Sequence, residues 1–136
     1  MSLLDSIEFF KSLTDDERKT LALYCQERFI RNGEILFHEG DSAIALYIVK
    51  SGMLEAYKHR SDGETILGKI MAGELAGEMA LFDSSAPKIR IANVRAIEDS
   101  LLLIIMDYAI LELSKKHPEI YAKIAQIIMK RKSLDL

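Results

Sequence analysis

The chain has one cysteine, no tryptophan, two prolines and seven glycines in 136 residues. The lone thiol, Cys25, excludes an internal disulfide framework and any multi-thiolate metal site, and it reads as a buried helix thiol in a reducing compartment. So little Pro and Gly leaves no room for a low-complexity linker, and no repeat array is present. No apolar run approaches the length of a membrane span, and no basic segment leads into an apolar one at the N-terminus. A cytoplasmic location with no membrane partner is therefore expected. Neither sign of charge dominates, with 18 Lys and Arg against 21 Asp and Glu and a net charge of −3. That balance argues against direct nucleic-acid binding within this chain, but it leaves a single bound anion open. His38, His59 and His117 have no metal-ligand spacing, and there is no nucleophile elbow, Walker loop or His-Glu-x-x-His. The expectation is a protein that is not an enzyme, with no metal and no cofactor.

What is present is an apolar fraction of 49% with 29% charged residues, ordinary for a folded domain, and the whole of 1–136 is read as one domain. Residues 1–27 form a helical lead-in. Thr14 with Glu17 three residues on has capping-box spacing, which predicts a helix from Asp15 to about Cys25. Residues 28–106 read as strands. Asn32-Gly33 and Ser61-Asp62-Gly63 are hairpin signals, the first between Phe29–Arg31 and Glu34–His38, the second between Met53–Arg60 and Glu64–Met71. Ala45–Lys50, Lys88–Ile97 and Leu101–Met106 complete the strand set, and many short antiparallel strands with frequent turns suggest a jelly roll or barrel. Residues 107–136 are helical, in segments Tyr108–Lys115 and Glu119–Lys132 separated by His117-Pro118.

The second of these helices places Ile120, Ile124, Ile127 and Ile128 on one stripe, to be buried in the same chain or shared with a second copy as a homodimer seam. Lys130-Arg131-Lys132 reads as a solvated helix end that complements the helix dipole.

The segment Gly73–Phe82 interrupts the strands with two glycines and an acid before a short helical stretch. Gly77 lets backbone approach a ligand closely, and amides opening a helix at Glu78 suit an anion. Downstream, Arg90, Ala92 and Val94 share one strand face, so Arg90 points into the barrel and needs an anionic partner. That partner is an internal acid such as Glu78, or a ligand.

In these two segments the chain resembles the cyclic-nucleotide-binding domain family, which includes catabolite activators and kinase regulatory subunits. Gly77-Glu78-Met79-Ala80-Leu81 and Arg90-Ile91-Ala92-Asn93-Val94 match the two halves of that family's phosphate-binding cassette, here within 73–94. The resemblance implies an eight-stranded antiparallel jelly-roll barrel with an N-terminal helix and two C-terminal lever helices. It implies a regulatory sensor whose ligand is a cyclic nucleotide. Gly77, Glu78, Met79, Ala80, Leu81, Arg90, Ile91 and Ala92 would hold that ligand, Glu78 at the ribose 2′-OH and Arg90 at the phosphate, with Val49 and Leu67 as apolar wall. A base-capping residue is expected from the C-terminal helices or beyond. The stretch Asp83–Ile89 is longer than the family's by two or three residues, which makes Lys88 a rival to Arg90. Ile91 lacks the hydroxyl that cyclic-GMP binders often have there, so cyclic AMP is expected over cyclic GMP. The alternative is a degenerate sensor that binds no nucleotide and serves protein interaction or dimerisation.

Overall fold

The computed structural model describes residues 4–82 and 88–133. A single 3-10 turn at Glu8–Phe10 precedes α1 (Asp15–Ala22). Strands β1 (Cys25–Ile30), β2 (Ile35–Phe37), β3 (Ala45–Ser51), β4 (Met53–Arg60), β5 (Gly63–Met71) and β6 (Leu75–Ala76) lead into the short helix α2 (Glu78–Phe82). Then follow β7 (Asn93–Ala96), β8 (Ser100–Met106), α3 (Asp107–Lys116) and α4 (Pro118–Ser133). The strands form two four-stranded antiparallel sheets, ordered β1-β8-β3-β6 and β2-β7-β4-β5. This is a jelly roll made of two facing sheets rather than a closed barrel.

The two apolar strands anticipated around Ala45 and Leu101 are buried on both faces. One face of the β1-β8-β3-β6 sheet, with Val49 and Leu102, meets Leu54, Val94 and Phe37 of the other sheet. Its outer face, with Leu46, Ile48, Leu103 and Ile105, is covered by Leu21, Ile110, Ile120, Ile124 and Ile128 from the helices. A strand buried on both sides loses its period-two pattern, which is why these two read as continuous apolar runs. Ile120, Ile124 and Ile128 of the α4 stripe are thus buried inside the chain, with Ile127 partly buried against the same core.

The capping box is formed: Thr14 N–H donates to Glu17 Oε1 at 2.9 Å and Glu17 N–H to Thr14 Oγ1 at 3.1 Å. The helix is shorter than expected. Cys25 opens β1 instead of closing α1, and burial pushes its thiol up to about 12. The Asn32-Gly33 turn also differs from expectation. Gly33 takes a left-handed φ of 91°, yet β1 pairs with β8 and β2 with β7, so the turn carries the chain between sheets and closes no hairpin. The Ser61-Asp62 hairpin does form, with Arg60 opposite Gly63. The expected strand from Lys88 is reduced to an isolated bridge between Ser42 and Ile89 before β7 begins at Asn93. The short β6 lies in the stretch read as irregular, because two residues are too few to show a pattern.

Candidate functional site

β6 pairs with β3 through Tyr47–Ala76 and Ile48–Leu75, which delivers Gly77 to the start of β3. Gly77 has φ 88°, and a Cβ built on it would overlap the Arg90 guanidinium, so only glycine fits beside that arginine. Arg90 is fixed by its backbone, which donates to Asp41 O and accepts from Gly40 N–H, both at 2.8 Å. Its Nη1 donates to Gly77 O at 3.0 Å and its Nη2 to Ala45 O at 2.7 Å. The guanidinium lies 4.3 Å from the centroid of the Phe37 ring. It is therefore held flat by stacking and by two carbonyls, a geometry lysine could not use.

Arg90 is 3% exposed, and among the described residues it has no carboxylate within ion-pair distance. Burial pulls its proton affinity below the ordinary arginine range, opposed by Tyr47, Glu78 and Asp41. An arginine nonetheless stays charged in a protein. The internal salt bridge to Glu78 that the sequence left open is not made.

Glu78 is paired elsewhere. It is fully buried, and its Oε1 accepts from Arg131 Nη1 on α4, while Arg131 Nη2 donates to Leu75 O at 2.8 Å. Among the described residues Glu78 Oε2 is buried without a hydrogen-bond partner. Burial is the larger influence and raises the Glu78 carboxyl above its ordinary range; the Arg131 charge opposes it.

Both groups line one open cleft. Gly77, Met79, Ala80, Ile91, Ala92 and Arg131 line it too, with Leu67 on the opposite wall. Leu67 is the extra residue of a bulge, since Ala56 pairs with Gly68 and Tyr57 with Ile66, and such a bulge re-aims a side chain. Leu81 and Val49 are not in the lining: Leu81 packs in the helical core and Val49 between the sheets. Lys88 is exposed and outside the cleft lining. Residues 83–87 of the lengthened stretch lie outside the described residues.

Arg131 is the functional-site residue that the sequence reading missed. Reading Lys130-Arg131-Lys132 as a solvated helix end was wrong for Arg131, which reaches inward to Glu78. The available signal was register. Arg131 follows Ile128 by three and Ile124 by seven, which puts it on the buried face of α4.

The family model described as "Cyclic nucleotide-binding domain" matches residues 27–117. The chain belongs to the cyclic nucleotide-binding domain family. The "Cyclic AMP receptor protein" of Thermus thermophilus is 32% identical over 123 residues, covering 90% of this chain and 56% of that protein. A "Lysophospholipase NTE1" of Chaetomium globosum is 32% identical over 103 residues, covering 75% of this chain and 7% of that protein. The solved structure of the Thermus thermophilus catabolite activator protein superposes with a TM-score of 0.76 at 31% identity, covering 92% of this chain and 58% of that one. The chain thus spans about half of the bacterial relative and a small part of the fungal one. Among the described residues no helix is long and apolar enough to cross a membrane, and no three His, Cys, Asp or Glu side chains are grouped to hold a metal.

Proposed function

We propose that the cleft binds a 3′,5′-cyclic ribonucleotide, cyclic AMP, and that the chain acts as a regulatory binding module without a reaction of its own. The observation that carries this reading is that one cleft holds two incomplete groups of complementary need. Among the described residues, Arg90 is a buried cation whose side-chain hydrogen bonds go to the carbonyls of Gly77 and Ala45, and Glu78 Oε2 is a buried acceptor with no donor. A cyclic ribonucleotide supplies an anionic phosphate and, next to it, a 2′-hydroxyl donor. The planar guanidinium would take the phosphate oxygens and Oε2 the hydroxyl. The apolar side chains of Leu67, Met79 and Ile91 offer a wall for the sugar and base. Ile91 offers no hydroxyl to a guanine, which favours adenine.

Arg131 gives the cleft a route to α4. It ties Glu78 and Leu75 to that helix, and α2 also meets α4 through the Phe82 and Tyr121 rings, 6.4 Å apart. A ligand that draws on Glu78 would act on the helix through Arg131. Such coupling requires that the ligand favour one arrangement of the helices over another. The same ion pair is the observation that favours the second reading, a module that binds no nucleotide, because Glu78 already has a partner.

Thermal unfolding with cyclic AMP, cyclic GMP and 5′-AMP separates the two. A ligand at ~100 times its dissociation constant adds about 2.7 kcal/mol of stability. The expected order is a clear rise for cyclic AMP, a smaller one for cyclic GMP and none for 5′-AMP. No rise with any of them at millimolar concentration would favour the second reading.

A further inference from the structure

We propose that Asn93 is a positioning residue for Arg90, acting through the loop 38–43. The inference rests on the reading of Arg90 as the phosphate partner, and it adds a residue that lies outside the cleft. Asparagine is disfavoured inside a strand, yet Asn93 opens β7 and is 4% exposed. Its neighbour Val94 packs between the sheets, so Asn93 lies on the opposite face of the strand, and it is not among the residues that line the cleft.

Both ends of its amide are engaged. Oδ1 accepts from Glu39 N–H at 2.8 Å, and Nδ2 donates to Tyr57 O on β4 at 3.4 Å. These partners fix the orientation of the amide, since a backbone N–H donates and a carbonyl accepts. The side chain thereby ties a loop to the β2-β7-β4-β5 sheet.

The tie matters because Arg90 precedes β7 and lies outside the named strands. Its backbone is held by the loop, through Asp41 O and the Gly40 N–H, and Ala43 N–H donates to Lys88 O at 3.0 Å. The loop is anchored at either end by Phe37 and Ala43, which are buried in different cores. Between these anchors Asn93 holds Glu39, the residue next to the Gly40 amide that bonds Arg90. On its other side Asn93 reaches Tyr57, which pairs with Ile66 beside the bulge that carries Leu67. Asn93 thus sets the loop behind Arg90 against the strand pair that forms the opposite wall. A bidentate bond depends on the plane of the guanidinium, so a displaced loop costs affinity while every group of the cleft is still present.

The test uses the full chain as wild type, Asn93→Leu and Glu39→Pro. Leucine keeps the volume of Asn93 and removes both amide bonds. Glu39→Pro removes the tie from its other end and serves even where Asn93→Leu folds poorly. Glu39 is exposed and sits second in a turn closed by Asp41 N–H to His38 O, with Gly40 third at φ 92°, a position that suits proline. Without nucleotide, amide exchange at Gly40 and Arg90, corrected for intrinsic rates, should be roughly tenfold faster in Asn93→Leu and faster in Glu39→Pro. The Ala96 and Ile97 amides, which bond Glu34 O and Met53 O, should stay within about twofold of the wild type. By calorimetric titration, cyclic AMP affinity should fall by roughly tenfold in Asn93→Leu, but by less than about twofold when the same change is made in Arg90→Lys. Unchanged exchange at Gly40 and Arg90, equal acceleration at Ala96 and Ile97, or the same loss of affinity in both backgrounds would each overturn the role of Asn93. Failure of the wild type to bind cyclic AMP would overturn the ligand reading instead, and the exchange comparison would still decide whether Asn93 holds the Arg90 backbone.

Discussion

Replacing Arg90 by alanine is expected to weaken cyclic AMP binding by roughly a thousandfold, about 4 kcal/mol, because two charge-assisted hydrogen bonds to a buried phosphate are lost together. The structure gives reasons for so large an effect. Arg90 is already positioned by Gly77 O, Ala45 O and the Phe37 ring, so little ordering remains to be done when the anion arrives. The empty protein should tolerate the change better than the complex does. Alanine removes a buried charge that has no carboxylate partner among the described residues, while two carbonyls lose a donor, and these effects oppose one another. Arg90→Lys should recover only part of the affinity, since an ammonium cannot take two phosphate oxygens in one plane while stacked on a ring. Lys88→Ala should stay within about threefold of the wild type, as expected for an exposed charge outside the cleft. Calorimetric titration of the four proteins measures this. A larger loss in Lys88→Ala than in Arg90→Ala would place the phosphate elsewhere.

Arg131→Met is expected to destabilise the empty protein by roughly 3 kcal/mol near neutral pH, since removing one partner leaves the other buried charge uncompensated. The pH dependence has a definite sign. Burial raises the Glu78 carboxyl above its ordinary range, so the folded state holds that proton more tightly than the unfolded chain does. Its contribution is favourable at acidic pH and is lost as pH rises through the folded-state value. Without the Arg131 charge that value moves up further. The gap between wild type and Arg131→Met should therefore be small under acidic conditions and open toward neutrality. Urea unfolding of both proteins across that interval checks it. Cyclic AMP affinity should also fall by about tenfold at neutral pH, because Arg131 no longer holds the Glu78 carboxyl that is to accept the ribose hydroxyl. A gap that does not change with pH would mean that Arg131 contributes packing alone.

The two segments that meet in the cleft are legible in the chain because each has a local signature. Gly77 before an acid and a short helix, and an arginine in register with Ala92 and Val94, are patterns a few residues long. The β4–β5 hairpin and the capping box at Thr14 and Glu17 belong to the same class. The reading failed where distant segments decide. Asn32-Gly33 favours a tight turn, but the jelly-roll order sends β1 and β2 to different sheets, so the pairing partners override the turn. Cys25 continues a helical pattern, yet its pairing with Ile105 makes it the start of a strand. Arg131 lies in a basic run that ordinarily faces water; only the burial of Ile124 and Ile128 beneath it turns that position toward Glu78. Leu67 and Val49 are both expected in the wall; the β5 bulge brings Leu67 there, while Val49 on β3 is buried between the sheets.

The most direct test of the cleft as a cyclic ribonucleotide site is calorimetric titration of cyclic AMP and its 2′-deoxy analogue into the same preparation at neutral pH. The two ligands differ only in the hydroxyl assigned to Glu78 Oε2. One-site binding of cyclic AMP is expected, with the deoxy compound weaker by at least about tenfold, the loss of one hydrogen bond to a charged group. Equal affinity for the two, or no binding of cyclic AMP, would contradict the assignment.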